Sequence, residues 1–351
     1  MNSWRDNVRK VEPYTPGEQP KEEGVIKLNT NENPYPPSEK IKEAMSEIKN
    51  LRKYPDPAAT KLVEAIASYH GFDKEEVFVG VGSDDVLAVA FMTFFNGKKP
   101  IFFPDITYSF YPVWAELFGI PYEKKAVNDA FEIQKEDYYA ENGGVVFPNP
   151  NAPTGAFLSL EVVEDIIQHN QDVVVIVDEA YIDFGGDTAK ELIRKYDNVL
   201  VVQTYSKSRS LAGLRIGYAI GNNELIKAMN DVKYSYNSYT MNEPSIVLGT
   251  AVLEDEEYFQ ETRNKIIDTR EWFQIEMRKI GFSFADSKAN FIFATHESVP
   301  AKEIFEAAKK AKIYVRYFDQ PRINNYLRIT IGTREEMETL LDFLKEFTAT
   351  K

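Results

Sequence analysis

Residues 199–218 read Val-Leu-Val-Val-Gln-Thr-Tyr-Ser-Lys-Ser-Arg-Ser-Leu-Ala-Gly-Leu-Arg-Ile-Gly-Tyr. The apolar start predicts a buried strand, and the small hydroxyl and glycine residues predict a loop after it. Lys207 lies in this loop, and Arg215 follows eight positions later. Such a lysine suits an aldehyde-bearing cofactor, because its amine forms a Schiff base while hydroxyls and an arginine hold a phosphate. The alternative is a solvated loop lysine, and only the rest of the chain can decide between the two.

Apolar strands alternate with helical patterns from about residue 40 to about residue 220. Unbroken apolar strands between helices are typical of an α/β fold with a mostly parallel, buried sheet. Ligands of such sheets bind at the carboxyl ends of the strands, so the residues just after the strands are candidates for a site. Besides Val199–Val202, the strand candidates are Val77–Gly80, Pro100–Phe103, Gly144–Phe147, Val173–Val177 and Ile216–Ile220.

The pattern changes after about residue 245. A long charged helix is predicted over 254–280, and Thr333 and Glu336 form a capping box at the start of a last helix. We therefore predict a large domain over 41–250 and a smaller α+β domain over 251–351, with residues 1–40 as an arm that joins the small domain. The strands predicted in the small domain are Asn290–Phe293, Ile313–Arg316 and Tyr326–Ile331.

Composition excludes several classes of function. The net charge of −14 argues against a nucleic-acid partner, and no apolar run approaches the roughly 18 residues that span a bilayer. The chain has no cysteine and only three histidines, so we expect no metal site. The N-terminus is polar, without the apolar core of a signal peptide. We expect no membrane association and a cytoplasmic location.

Three polar segments follow predicted strands. Residues 80–85 read Gly-Val-Gly-Ser-Asp-Asp and open a helix, where free amide groups suit a phosphate; an ordinary turn with a helix cap is the alternative. Asp178 ends an apolar strand and therefore needs a cationic partner, such as a pyridinium nitrogen. Alternatively, Asp178 caps a helix or pairs with an arginine. Residues 147–155, Phe-Pro-Asn-Pro-Asn-Ala-Pro-Thr-Gly, predict a rigid loop that presents amide side chains.

Together these motifs resemble the fold-type I aminotransferases that depend on pyridoxal 5′-phosphate (PLP). The matching segments are the Asn-Pro-Asn-x-Pro-Thr-Gly loop, Asp-x-x-Tyr at 178–181, the Lys207 segment and a late Arg in Leu-Arg-Ile-Thr. They occur in order from about residue 25 to about residue 335. The resemblance implies a mostly parallel seven-stranded sheet flanked by helices, PLP bound by the large domain, and an enzyme with small-molecule substrates.

The resemblance also implies roles for single residues. Lys207 is expected to bind the cofactor aldehyde as a Schiff base and to carry protons between the cofactor and the substrate. Asp178 is expected to pair with the pyridine nitrogen, and Tyr181 to bond to the phenolic oxygen. The residues expected to hold the cofactor phosphate are Gly82, Ser83, Asp84, Thr204, Ser206 and Arg215.

Further residues follow from the same resemblance. Tyr108 is expected to stack on the cofactor ring, although a core tyrosine is the alternative. Tyr54 is expected to reach the phosphate of a second subunit, which implies a homodimer with shared active sites. Arg328 is expected to grip a substrate carboxylate in a bidentate fork, with Asn29 near it. The asparagine that usually precedes Pro-Thr-Gly in this family is Ala152 here. Either Asn151 or Asn149 substitutes for it, or Tyr181 acts alone. We predict that Asn151 contacts the cofactor.

The N-terminal arm and the Gly-Ser-Asp-Asp loop resemble those of histidinol-phosphate aminotransferases within this family. That reaction, part of histidine biosynthesis, interconverts L-histidinol phosphate and 2-oxoglutarate with imidazole-acetol phosphate and L-glutamate. Its phosphorylated substrate requires a second anion site, for which Arg316 is the candidate, with Tyr14 and Arg322 assisting. A surface strand arginine is the alternative for Arg316.

Other functions remain open at this point. An aromatic or broad-specificity aminotransferase and a threonine-phosphate decarboxylase use the same scaffold. A regulatory protein with this fold lacks support, because no basic helix-turn-helix precedes residue 40. A metal hydrolase lacks the expected histidine and cysteine spacing.

Overall fold

The computed structural model describes residues 3–49 and 51–351, so Met1, Asn2 and Asn50 of the predicted arm and large domain lie outside the described residues. The strands are β1 (Ile26–Lys27), β2 (Val77–Val81), β3 (Ile101–Pro104), β4 (Tyr122–Lys125), β5 (Val145–Pro148), β6 (Val175–Asp178), β7 (Val199–Thr204), β8 (Ile216–Gly221), β9 (Phe282–Ser283), β10 (Phe291–His296), β11 (Ile313–Tyr314), β12 (Arg316–Tyr317) and β13 (Leu327–Thr330). The α-helices are α1 (Glu39–Met45), α2 (Thr60–His70), α3 (Ser83–Phe94), α4 (Phe110–Phe118), α5 (Leu160–Gln168), α6 (Asn223–Tyr236), α7 (Glu243–Ala251), α8 (Glu256–Arg278), α9 (Ala301–Lys310) and α10 (Arg334–Ala349).

A seven-stranded sheet has the order β2-β8-β7-β6-β5-β3-β4. Only β8 runs antiparallel to its neighbours, β2 and β7. Alternate strand residues pack on opposite faces: Val175 and Val177 of β6 lie in one hydrophobic core, and Ile176 lies in the other. Both faces are therefore buried, which explains why the strands read as unbroken apolar runs rather than alternating ones.

The edge strand β4 was not predicted. Its residues, Tyr122 to Lys125, are half-buried or exposed, in contrast to the fully buried β3 beside it. A polar edge strand carries no apolar run for sequence analysis to detect, and its lysines discourage pairing with other chains.

A second, antiparallel sheet of order β12-β13-β10-β9 packs against α8, α9 and α10. The predicted strand 313–316 is divided: Ile313 and Tyr314 pair in parallel with β1 of the arm, while Arg316 and Tyr317 pair with β13. The arm therefore contacts the smaller sheet region, although the domain limits at residues 40 and 250 stay predictions. The predicted Thr333–Glu336 capping box is confirmed at the start of α10.

Within residues 3–49 and 51–351, no helix combines the length and the apolar composition that crossing a bilayer requires.

Candidate active site

Most of the predicted site residues meet at one edge of the seven-stranded sheet. Parallel strands end at the same edge, and the antiparallel β8 begins there, so the loops after β2, β3, β5, β6 and β7 converge with Arg215. They enclose a cavity of about 290 Å³. Its lining includes Ser83, Asp84, Tyr108, Ala152, Asp178, Tyr181, Thr204, Ser206, Lys207 and Arg215, together with Thr30 and Glu32 of the arm.

Lys207 lies three residues beyond β7, and its amine reaches into this cavity. The Nζ atom donates to the carbonyl oxygen of Thr30 at 3.4 Å and lies 5.6 Å from the centre of the Tyr181 ring. The carbonyl contact is long, and no described carboxylate forms a salt bridge with the amine. The amine is therefore available to a ligand in the cavity.

Asp178 is the last residue of β6 and is 4% exposed. Burial raises the pKa of its carboxyl group to about 6, although hydrogen bonds from the Tyr111 hydroxyl (2.9 Å) and the Ala180 amide (3.3 Å) oppose that rise. Among the described residues no arginine pairs with it, so the alternative of an Asp178–arginine pair is not observed. The charge of Lys207 favours its ionised form, but no described cation forms a salt bridge with this buried carboxylate.

A cradle of Gly82, Ser83 and Arg215 lies where α3 begins, and Ser83 and Arg215 line the cavity. Arg215 donates to Asp84 Oδ2 at 2.9 Å and contacts Ser206 Oγ at 3.5 Å. Gly82 has φ +82°, and a Cβ there would lie 2.4 Å from Arg215 Nη2, so only glycine lets the guanidinium approach the helix start. The first-turn amides of a helix have no intrahelical acceptor and face such a cradle.

Tyr108 and Thr204 are both tied into the cavity wall. The Tyr108 hydroxyl donates to Asp84 Oδ1 at 2.7 Å, which fixes the ring along the cavity. The Thr204 hydroxyl donates to Ser206 Oγ (3.0 Å) and accepts from the Ser206 amide (3.1 Å). The hydroxyls of Thr204 and Ser206 thus lie side by side near Arg215.

Two arginines lie next to each other beyond the cavity. Arg316 of β12 and Arg328 of β13 are register partners in an antiparallel pair, and both guanidinium groups lie over the Phe318 ring. Among the described residues no carboxylate forms a salt bridge with either. Burial lowers the pKa of Arg328, and the neighbouring charge of Arg316 lowers it further. Two neighbouring guanidinium groups without a carboxylate partner are what the predicted second anion site requires.

Tyr14 of the arm covers Arg316. Its ring stacks on Phe110 at 4.2 Å, and it lines a second cavity of about 390 Å³ together with Arg316 and Tyr108. Because Tyr108 borders both cavities, the second cavity adjoins the lysine cavity.

Asn29 contacts Arg328 through its backbone rather than its side chain. Its carbonyl oxygen accepts from Arg328 Nη2 at 2.9 Å, while its side-chain amide donates to the Glu18 carbonyl. The Nε atom of Arg328 is buried and has no partner among the described residues. That leaves Arg328 with one buried N–H group that is not hydrogen-bonded.

The structure does not bring Asn151 to the cofactor cavity. Its amide donates to the Ile106 carbonyl and to Thr154 Oγ1, and its oxygen accepts from Thr107, so the side chain is used to hold the loop. Asn149 is likewise engaged, with both polar atoms bonded to the Leu158 backbone. Asn151 therefore does not line the Lys207 cavity, and its contact with the cofactor stays a prediction.

Arg322 is also engaged elsewhere. Its guanidinium bonds to Asp105 at 2.9 Å and to the carbonyls of Val127 and Asn128. In this structure its guanidinium is therefore paired away from Arg316. Tyr54 is 83% exposed and packs at a tilt against Tyr239 with ring centres 4.8 Å apart, and it does not line the Lys207 cavity of its own chain.

Three residues at the site were missed by sequence analysis. Tyr111 donates a hydrogen bond to Asp178, and its only sequence signal is that it lies three residues after Tyr108 in an aromatic segment. Glu32 lines the cavity and bonds to Lys27 and Thr30, which together outweigh burial and lower its pKa. Asn31 donates to the Tyr181 hydroxyl at 2.9 Å. Neither arm residue carries a sequence signal beyond its place in the Leu-Asn-Thr-Asn-Glu-Asn-Pro segment.

Comparison with known proteins identifies the family. Residues 23–344 match the aminotransferases of class I and II. The chain belongs to this aminotransferase family. A histidinol-phosphate aminotransferase of Lactococcus lactis subsp. lactis (strain IL1403) is 50% identical over 347 residues, which cover 98% of this chain and 96% of that protein. One from Clostridium botulinum (strain Okra / Type B1) is 51% identical over 345 residues, 98% of each chain.

Solved structures resemble this aminotransferase in fold. The histidinol-phosphate aminotransferase of Clostridium acetobutylicum has a TM-score of 0.86 at 22% identity, covering 93% of this chain and 100% of that one. That of Sinorhizobium meliloti, solved in complex with pyridoxal-5′-phosphate, has a TM-score of 0.84 at 21% identity, covering 93% and 91%. The predicted fold class and the predicted family of this aminotransferase are confirmed.

The described residues of this aminotransferase include no cluster of three or more histidine, aspartate or glutamate side chains that could hold a metal ion.

Proposed function

We propose that this aminotransferase uses PLP to interconvert L-histidinol phosphate and 2-oxoglutarate with imidazole-acetol phosphate and L-glutamate, as a step of histidine biosynthesis. The observation that carries the proposal is the Arg316–Arg328 pair, two guanidinium groups without carboxylate partners beside the lysine cavity. A substrate with a phosphate at the end opposite its amine requires such charge. The relatives that are about 50% identical are named for this reaction.

The residues around Lys207 fit PLP by their chemistry. Asp178 is a buried carboxylate without a salt-bridge partner among the described residues, and a pyridinium nitrogen would supply one. At the opposite end, the Gly82 cradle, Ser206 and Arg215 offer donors to a phosphate. The ring of the cofactor would lie between these ends, along Tyr108.

Bound to a lysine amine, PLP supplies an electron sink that stabilises negative charge on the substrate carbon. Lys207 is the base that takes and returns the proton at that carbon, since no other described amine lines the cavity. Asp178, ionised beside a cation, keeps the ring nitrogen protonated. Arg328 receives a carboxylate of glutamate or 2-oxoglutarate, because no described carboxylate pairs with its guanidinium.

The two half-reactions present different anions to the same pair of arginines. Arg316 and Tyr14 border the outer cavity, which suits the phosphate of histidinol phosphate. Arg328 lies deeper, and its Nη2 is already bonded to the Asn29 carbonyl. We infer that Arg316 sets the preference for the phosphorylated substrate, while Arg328 serves both substrates.

Half-reaction spectra test this proposal. Wild-type protein mixed with L-histidinol phosphate, L-phenylalanine or L-glutamate should convert its cofactor fastest with histidinol phosphate and glutamate. Arg316→Ala should lower kcat/KM for histidinol phosphate about ten- to a hundredfold, because a hydrogen bond to a charged group contributes about 1.5–3 kcal/mol. It should change the glutamate reaction far less.

Arg322→Ala is the matched control, since that arginine lies six residues away and bonds to Asp105 instead. It should leave the ratio of the two substrates unchanged. Equal losses for both substrates in Arg316→Ala would refute the phosphate role. A preference for phenylalanine in the wild type would favour an aromatic aminotransferase.

We further propose that the active site is shared across a homodimer. The exposed Tyr54–Tyr239 pair supports this, because a tyrosine that is 83% exposed and outside its own cavity can serve a second copy. Mixing Lys207→Ala chains with Tyr54→Ala chains should then restore activity, since each mixed dimer has one site with both native residues. No recovery, or a monomer in sedimentation, would contradict the proposal.

We also propose a cytoplasmic location, supported by the absence of cysteine. Fractionation of cells should recover the protein with the cytoplasm, and recovery in a membrane or secreted fraction would contradict this.

A further inference from the structure

Asn31 joins three parts of the chain at one buried point. The residue is 1% exposed and has φ +57°. Its backbone amide donates to Thr330 Oγ1 (3.0 Å), its side-chain oxygen accepts from the same hydroxyl (2.9 Å), and its carbonyl accepts from Asn290 Nδ2 (3.0 Å). These bonds fix the orientation of its side-chain amide, because the oxygen is already occupied.

The remaining polar atom, Asn31 Nδ2, donates to the Tyr181 hydroxyl at 2.9 Å. A tyrosine hydroxyl has one proton and accepts through its lone pairs. Because Asn31 fills an acceptor position, the Tyr181 proton stays available, and no described residue accepts it. Tyr181 lines the Lys207 cavity, so its hydroxyl is oriented as a donor to a ligand there.

Because residue 152 is alanine, the Asn31–Tyr181 hydrogen bond has no counterpart from the Pro-Thr-Gly loop. Ala152 lines the same cavity with a methyl group, and the neighbouring Asn149 and Asn151 are bonded elsewhere. No amide of the Pro-Thr-Gly loop therefore bonds to an oxygen in the cavity from that side. The only amide next to the Tyr181 hydroxyl, among the described residues, comes from the N-terminal arm.

We propose that Asn31 is a positioning residue, which holds the Tyr181 hydroxyl so that its proton is donated to the phenolic oxygen of the cofactor. The inference rests on the proposed PLP function. It also links the two ends of the site, because Thr330 lies two residues after Arg328 on β13 and bonds to Asn31. A substrate anion that moves β13 would thereby act on Tyr181 through Asn31.

The pKa of the Lys207–cofactor linkage reports on this bond. A hydrogen bond donated to the phenolic oxygen draws negative charge away from it, so that oxygen holds the proton of the adjacent nitrogen less well. Loss of the bond should therefore raise the pKa of the linkage. A merely structural role of Asn31 in holding the arm would shift this value equally in a variant that loosens the arm but keeps the Asn31 side chain.

The experiment is a spectroscopic pH titration of the purified holoenzyme. Asn31→Gly removes the side chain, and glycine accepts the positive φ without strain. We expect the pKa of the linkage to rise by about one unit, equivalent to about 1.4 kcal/mol. Tyr181→Phe should raise it at least as much, and Asn31→Gly should add nothing further in the Tyr181→Phe background.

Leu28→Ala is the control for a loosened arm. Leu28 is 1% exposed and packs in the core of the small sheet region without bonding to Tyr181. A titration of Leu28→Ala equal to wild type, with a raised pKa in Asn31→Gly, supports the proposal. An equal shift in both variants, no shift in Asn31→Gly, or additive shifts with Tyr181→Phe would overturn it. A wild type that binds no titrating cofactor would instead overturn the proposed function itself.

Discussion

Replacing Asp178 with asparagine should stabilise the cofactor-free protein while abolishing catalysis. Burial raises the pKa of this carboxyl group to about 6 from its usual 3.8. The folded state therefore binds the proton more tightly than the unfolded state. The stability from this group is present below about pH 3.8 and is lost as the pH rises through about 6.

The size of the effect follows from the shift. A difference of roughly two pKa units corresponds to a cost of about 3 kcal/mol at about pH 8, and about half of that cost is already present at about pH 5. Asparagine keeps the shape of the side chain but cannot ionise. The free energy of unfolding of Asp178→Asn, taken relative to that of wild type, should therefore rise by about 1–1.5 kcal/mol from about pH 5 to about pH 8.

Urea denaturation of the cofactor-free proteins at the two pH values, at one fixed protein concentration, measures this gain. The matched control is Asp187→Asn, which makes the same substitution at an exposed aspartate of the same connection. Added cofactor should reverse the order, since a pyridinium cation stabilises the carboxylate but not the amide. If Asp178→Asn gains nothing over wild type as the pH rises, the carboxylate is not desolvated and the argument for its cationic partner fails.

Three further variants probe the cavity. Lys207→Ala should lose the absorbance band of lysine-bound cofactor, and a band that survives and still responds to borohydride would refute its role. Gly82→Ala should weaken cofactor binding about tenfold or more, because its Cβ would lie 2.4 Å from Arg215 Nη2; an unchanged Kd would show that Arg215 does not need that approach. Tyr111→Phe removes a hydrogen bond that lowers the pKa of Asp178, so cofactor affinity should fall more near about pH 6 than near about pH 8. Parallel losses at both pH values would contradict this.

The sheet and the lysine could be found from the sequence because their signals are local. The apolar strands β2, β3, β5, β6, β7 and β8 lie close to their predicted positions, since burial on both faces leaves an unbroken apolar run. Strand β4 was not predicted because it is a polar edge strand without an apolar run. Lys207 and Asp178 could be placed because each follows an apolar strand that ends at the ligand-binding edge of the sheet.

The sequence by itself determined which chemical groups are available: an amine, a carboxylate at a strand end, hydroxyls and arginines in a recognisable order. The tertiary structure decided which of them remain free. Asn151 and Arg322 had suitable side chains, but Ile106, Thr154 and Asp105 occupy them. Asn31 reaches Tyr181, 150 residues away, and Thr330, 299 residues away. Hydrogen-bond partners at such separations leave no periodic signal in a chain, so only the folded protein shows that Lys207 lies opposite a tyrosine held by the N-terminal arm.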